Sequence, residues 1–108
     1  MRNEVQRKLI ALLITTDKYK NHIENIVSSA VKSGCEVRCF IMDDGVNLLN
    51  DEDYVSKLKE SHAGVSLCEY SCEVRNVTKK VDGFTYASQY ENASMMNDLE
   101  LSDRLLVF

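Results

Sequence analysis

Residues 9–15 read LIALLIT, an unbroken apolar run closed by a threonine pair and Asp17. A strand half exposed to water alternates apolar and polar residues; this one does not alternate, so it is read as a strand buried on both faces. A strand of that kind needs parallel neighbours and covering helices, and the residues that follow supply both patterns. Thr16 or Asp17 is placed to cap a helix. Ile23, Ile26, Val27, Ala30 and Val31 then recur at helical spacing as one apolar stripe. Gly34 is read as the stop. CEVRCFIM (35–42) is a second strand, closed by Asp43-Asp44-Gly45.

Leu48 and Leu49 enter a loop, and Asn50 or Asp51 caps a second helix. Tyr54, Val55 and Leu58 are its apolar positions, and Lys57 and Lys59 sit near its end, where the helix dipole favours them. Gly64 ends that helix. VSLC (65–68) is a third strand, and a short helix is expected over 71–79. VDGFTYAS (81–88) reads equally as strand or loop. Residues 88–100 are expected to be helical, with Tyr90, Ala93, Met96 and Leu99 on one face, and RLLVF (104–108) is a last strand. The alternation of strands and helices gives a single α/β domain over 1–108. It predicts a mostly parallel sheet of about five strands with helices on both faces, layered as in flavodoxin.

Composition narrows the function. The chain has 108 residues, the length of one domain, with 44% hydrophobic and 28% charged residues. A formal net charge of −4 favours neither nucleic acid nor an anionic membrane as partner. The apolar run Leu9–Ile14 is shorter than a secretory core of roughly 7–15 residues or a membrane span of about 20. Four cysteines without an export signal suggest reduced thiols in the cytoplasm.

Right-handed crossovers bring the C-terminal ends of parallel strands to one edge, where ligands collect. Thr16 and Asp17, Asp44 and Gly45, and Cys68 all fall there. No metal site is expected. Cys35 and Cys39, placed in one strand, stand roughly 13 Å apart at about 3.3 Å per residue. Two sulfurs on one zinc, each bonded at about 2.3 Å, lie far closer. They are read as small apolar residues of a covered strand. Asp43-Asp44-Gly45 reads as a turn, and no glycine-rich phosphate loop occurs.

Cys68 and Cys72, in VSLCEYSC (65–72), differ from the other two. If a helix begins near Tyr70 they stand about one turn apart at its start, where a cysteine gains thiolate character. Arg75 adds to this; Glu69 and Glu73 oppose it. Cys68 is expected to react faster than Cys35 or Cys39, and Cys72 to modulate it. Packing alone remains the competing reading for Cys68.

Four segments, in this order and spacing, resemble the DsrE/DsrF-like sulfur-relay family over nearly the whole chain: KLIALLITTD (8–17), VRCFIMDDGVNLL (37–49), GVSLCEYSCEVRNV (64–77) and LELSDRLLVF (99–108). In sulfur-transferring members a cysteine ending the third strand carries sulfur as a persulfide, and Cys68 falls on that position. An Arg-Gly pair often follows; here Arg75 is present and Asn76 replaces the glycine, a residue that tolerates the left-handed conformation. Cys72 stands where members usually have a small residue.

The resemblance implies a cytoplasmic sulfur carrier that works without a cofactor. Cys68 and Cys72 would be its thiols, and Thr16, Asp17, Asp44, Gly45 and Arg75 its binding residues. Its partners would be sulfur donor and acceptor proteins with reactive cysteines. It also implies a homo-oligomer: a dimer, trimer or hexamer. Two other readings stand beside it, a non-catalytic oligomeric binding module and a Cys68/Cys72 redox switch.

Overall fold

The structure is a computed structural model that describes residues 8–88 and 104–108. Five strands form one sheet: β1 (Leu9–Ile14), β2 (Glu36–Ile41), β3 (Gly64–Cys68), β4 (Thr85–Ala87) and β5 (Arg104–Val107). Their order is β4-β3-β2-β1-β5, and every pairing is parallel. Among the described residues, three helices connect β1 to β4: α1 (Lys20–Lys32), α2 (Glu52–Glu60) and α3 (Glu69–Val74), with a 3₁₀ segment over Asp43–Asn50.

From β1 to β4 the chain steps one strand over each time in the same direction. Right-handed crossovers then put α1, α2 and α3 on one face. Residue pairing fixes which side chains share that face. Leu12 lies opposite Cys39 and Leu106, and Ile41 opposite Ile14 and Leu67. Leu12, Ile14, Val37, Cys39, Ile41, Val65 and Leu67 pack with Ile23, Val27 and Ala30 of α1, Tyr54 and Leu58 of α2, and Cys72 of α3. Leu9, Ala11, Phe40, Cys68 and Ala87, on the alternate positions, are buried as well. Both faces of the central strands are therefore covered, as the unalternating sequence of β1 requires. Of the helix expected over 88–100, residues 89–100 lie outside the described residues, as do Ser102 and Asp103.

Local chemistry explains where the elements begin and end. Gly34 stops α1 as expected, with φ 81°. Its N–H donates to Val31 O, and the Cys35 N–H reaches back to Ala30 O, the paired bonds of a Schellman cap. This turn pulls Cys35 out of β2 and leaves it partly exposed, so Cys35 is not a residue of a covered strand. The left-handed residue after α2 is His62 (φ 58°), not Gly64, which is already the first residue of β3.

Asp51 caps α2, its Oδ1 accepting from Tyr54 N at 3.1 Å. Neither Thr16 nor Asp17 caps α1, which starts after Tyr19 with no side-chain cap. Leu48 and Leu49 are not in an open loop: the 3₁₀ segment buries both, with Val46, against the sheet. Between α1 and α2, the nearly buried Glu24 carboxylate lies 3.5 Å from Lys57 Nζ and 3.3 Å from Lys20 Nζ, the latter an ion pair without hydrogen-bond geometry. Among the described residues, no helix is long and apolar enough to cross a membrane.

Candidate functional site

At the C-terminal edge of the sheet, β3 runs directly into α3, and Cys68 belongs to both. It is the last residue of β3 and the N-cap of α3 (φ −82°, ψ 113°). Its Sγ accepts from the Ser71 N–H at 3.4 Å, the bond an N-cap serine oxygen would ordinarily make. Ser71 in turn uses its Oγ to accept from the Asp43 N–H at 3.0 Å, tying the start of the 3₁₀ segment to α3.

Arg75 strengthens the same junction. Its Nε donates to Asp44 Oδ1 at 2.9 Å, and Nη1 reaches Ser71 O at 3.5 Å. Asn76 takes the left-handed conformation expected of it (φ 55°), and the Val77 N–H closes a Schellman cap on Cys72 O at 2.9 Å. Gly45 is required for a different reason: a Cβ there would sit 2.5 Å from the Ile14 carbonyl oxygen. Its service is close approach of the 3₁₀ segment to the end of β1.

Cys68, Cys72, Asp44, Gly45 and Arg75 are thus gathered around one junction. Asp17 is tied to the same 3₁₀ segment, and Thr16 to its own loop. Asp17 Oδ2 accepts from Asn47 Nδ2 at 3.0 Å, and Thr16 Oγ1 accepts from the Lys18 N–H at 3.3 Å. Their loop follows β1, which pairs with both β2 and β5. There the Thr15 hydroxyl donates to Phe108 O at 2.6 Å.

The four thiols are free and differ in environment. Cys68 is fully buried and Cys72 is 3% exposed. Cys39 is also buried, and desolvation pushes its thiol up to about 12. Cys35 alone is partly exposed. By burial alone a bulky reagent should meet Cys35 before Cys68, whereas the sequence leads one to expect Cys68 to react first. Burial also raises the Cys72 thiol, with Cys68 and Glu69 adding to the effect and Lys80 opposing it. Lys80 Nζ lies 3.7 Å from Glu69 Oε2 and 4.2 Å over the Tyr86 ring.

Ser71, Asn47 and Lys80 were not singled out from sequence. Ser71 carried a usable signal, its N–H being the one three residues beyond a strand-ending cysteine that a cap would take. Lys80 carried none, because its place beside α3 comes from the path of residues 75–84. Among the described residues, no three His, Cys, Asp or Glu side chains gather as a metal ion would require.

No protein-family model matches the chain, and no curated protein does. Solved structures do. The YchN protein of E. coli superimposes with a TM-score of 0.66 at 18% identity, over 95% of this chain and 100% of that one. A conserved protein of unknown function from Bacteroides thetaiotaomicron, BT1422, superimposes with a TM-score of 0.75 at 14% identity, over 94% and 95%. The chain has a YchN-like fold. That is the fold implied by the resemblance to DsrE/DsrF-like proteins, and at these identities the likeness is one of architecture.

Proposed function

We propose that this protein carries sulfane sulfur as a persulfide on Cys68. The observation that supports it is the placement of that sulfur. Cys68 Sγ is fixed by the Ser71 N–H at the strand-end edge where open α/β sheets bind ligands, in a junction braced by Arg75 and Asp44. The step is thiol exchange. A donor R–S–SH and the Cys68 thiol give R–SH and Cys68–S–SH. The sulfur–sulfur bond of the donor breaks, one forms on Cys68, and no oxidant or cofactor enters.

Loading with inorganic polysulfide followed by intact-mass measurement tests this. With the exposed thiol removed by Cys35→Ala, the chain should gain one sulfur and the same chain with Cys68→Ser should gain none. Equal uptake by Cys68→Ser would remove the reading. A second reading, a non-catalytic binding module, is favoured by the complete burial of Cys68. It requires that the Cys35→Ala chain take up no sulfur at all.

The carrier is further proposed to self-associate. Leu105, Leu106 and Val107 of the edge strand β5 are exposed, and an apolar sheet edge is what proteins ordinarily cover. Sedimentation velocity at micromolar concentration should give more than the monomer mass; a monomer throughout would refute it.

A further inference from the structure

We infer that Cys72 is the resolving thiol that discharges sulfur held on Cys68. The inference rests on the carrier reading above and names the acceptor in it. Cys68 has no exposed surface, so a small persulfide donor must loosen the junction to load it, and a bulky protein cysteine is a poorer acceptor than a thiol already inside. Cys72 is that thiol. It lies four residues on, in the first turns of the helix that Cys68 caps, and it is free. The Ser71 N–H that holds Cys68 Sγ at 3.4 Å belongs to the residue just before Cys72.

Within a helix, residues four apart hold their Cβ atoms about 5–6 Å apart, beyond the disulfide mean of about 3.8 Å. Cys68 is not bound by that spacing. As an N-cap its backbone is extended (φ −82°, ψ 113°), so the separation of the two sulfurs is set at the β3–α3 junction and not by the helical repeat. The short α3 is closed at its far end by the Asn76 and Val77 N–H groups, which donate to Glu73 O and Cys72 O, so Cys72 sits in the anchored part of the helix.

The chemistry balances without an added oxidant. The Cys72 thiolate attacks the Cys68 sulfur that is bonded to the chain. The persulfide bond breaks, and hydrosulfide leaves with the electron pair and takes up the proton Cys72 lost. In sum, Cys68–S–SH and Cys72–SH give the Cys68–Cys72 disulfide and H₂S. The outer sulfur is reduced to sulfide, the Cys72 sulfur is oxidised, the Cys68 sulfur keeps its oxidation state, and a dithiol reductant restores both thiols.

The groups facing Cys72 set its pH response. Burial, Cys68 and Glu69 hold its proton on; the Lys80 ammonium favours releasing it. Discharge should therefore quicken as pH rises. Lys80→Met should move that rise to higher pH without changing uptake.

The experiment uses the full chain loaded with inorganic polysulfide, desalted, and followed by sulfide release and intact mass. Wild type should gain one sulfur, release it as one equivalent of sulfide, and finish two hydrogens lighter than it began. Peptide mapping should place the bond between Cys68 and Cys72. Cys72→Ala should load normally, keep its sulfur and give no sulfide burst. Cys72→Ser is a second variant, so that a packing defect peculiar to either is recognised. Release from both variants at the wild-type rate overturns the inference while leaving the carrier reading intact, as does a disulfide that maps to Cys35. Failure of the wild type to load overturns the carrier reading and this inference together.

Discussion

Gly45→Ala should lower the free energy of unfolding by about 1–3 kcal/mol, the usual cost of forcing extra atoms into a packed interior. For a domain near this size each kcal/mol lowers the melting temperature by about 4–8 °C. The new Cβ would stand 2.5 Å from the Ile14 carbonyl oxygen, a backbone atom at the end of the central strand. That oxygen also accepts from the Met42 N–H at 2.9 Å, so it has little freedom to withdraw. The 3₁₀ segment must move instead, and it carries the Asp43 N–H bound to Ser71 and the Asp44 carboxylate bound to Arg75. Both bonds should weaken, so the loss of stability should come with poorer sulfur loading. Gly64→Ala is the control. Its Cβ would meet Arg38 Cγ at 3.7 Å, an ordinary contact, and stability should barely change. Equal melting temperatures for the two variants would show that the close approach at Gly45 is not a constraint.

Gly45 also shows what the sequence reveals and what it hides. Asp-Gly after a strand marks a turn, and a turn is there, with the Gly45 N–H donating to Met42 O. The reason for the glycine is a tertiary neighbour on β1, which no local pattern encodes. The long apolar runs of β1 and β2 were legible because burial on both faces leaves a continuous signature. β4 was not, since three residues, Thr85–Ala87, are too few to show a period. The start of α1 was misread for a related reason. Thr16 and Asp17 have capping chemistry, but Asn47, thirty residues on, holds Asp17, and the Lys18 N–H holds Thr16.

At the site, Cys68, Asp44, Gly45 and Arg75 could be placed on one edge from topology and from family resemblance. Their mutual bonds could not, because they depend on how the 3₁₀ segment packs on α3. Reactivity ranked by proximity to a helix start left out burial, and burial divides Cys35 from Cys68. Cys35 itself was assigned to β2 by its apolar character. The Gly34 turn claims its amide first.

Alkaline solution should destabilise the protein steeply from about pH 9 upward, and the cause lies in the core between β2 and α2. Cys39 is fully buried in β2, opposite Leu12 and Val65. Burial raises its thiol from an ordinary value of 9.0 to about 12. The Tyr54 phenol, packed in the same core, is raised as well, first by burial and then by its neighbours Cys39 and Glu24. Both groups are neutral when protonated, and the folded state holds their protons more tightly than the unfolded chain does. Below about pH 9 both states keep the Cys39 proton, and its contribution is constant. Between there and about 12 the unfolded chain gives up the proton and the folded chain does not, so stability falls as pH rises. The slope approaches about 1.4 kcal/mol per pH unit for each group, and Cys39 alone should remove about 2–3 kcal/mol by about pH 11. Urea unfolding at a series of pH values reads this directly. Cys39→Ala should begin less stable, because it leaves a cavity, yet lose stability more slowly through the window. Tyr54→Phe removes a buried hydroxyl with no hydrogen-bond partner, so it should match or exceed the wild type at neutral pH. Above about pH 10 its decline should be shallower. A double variant whose alkaline slope equals that of the wild type would show that burial of these two groups does not set the limit.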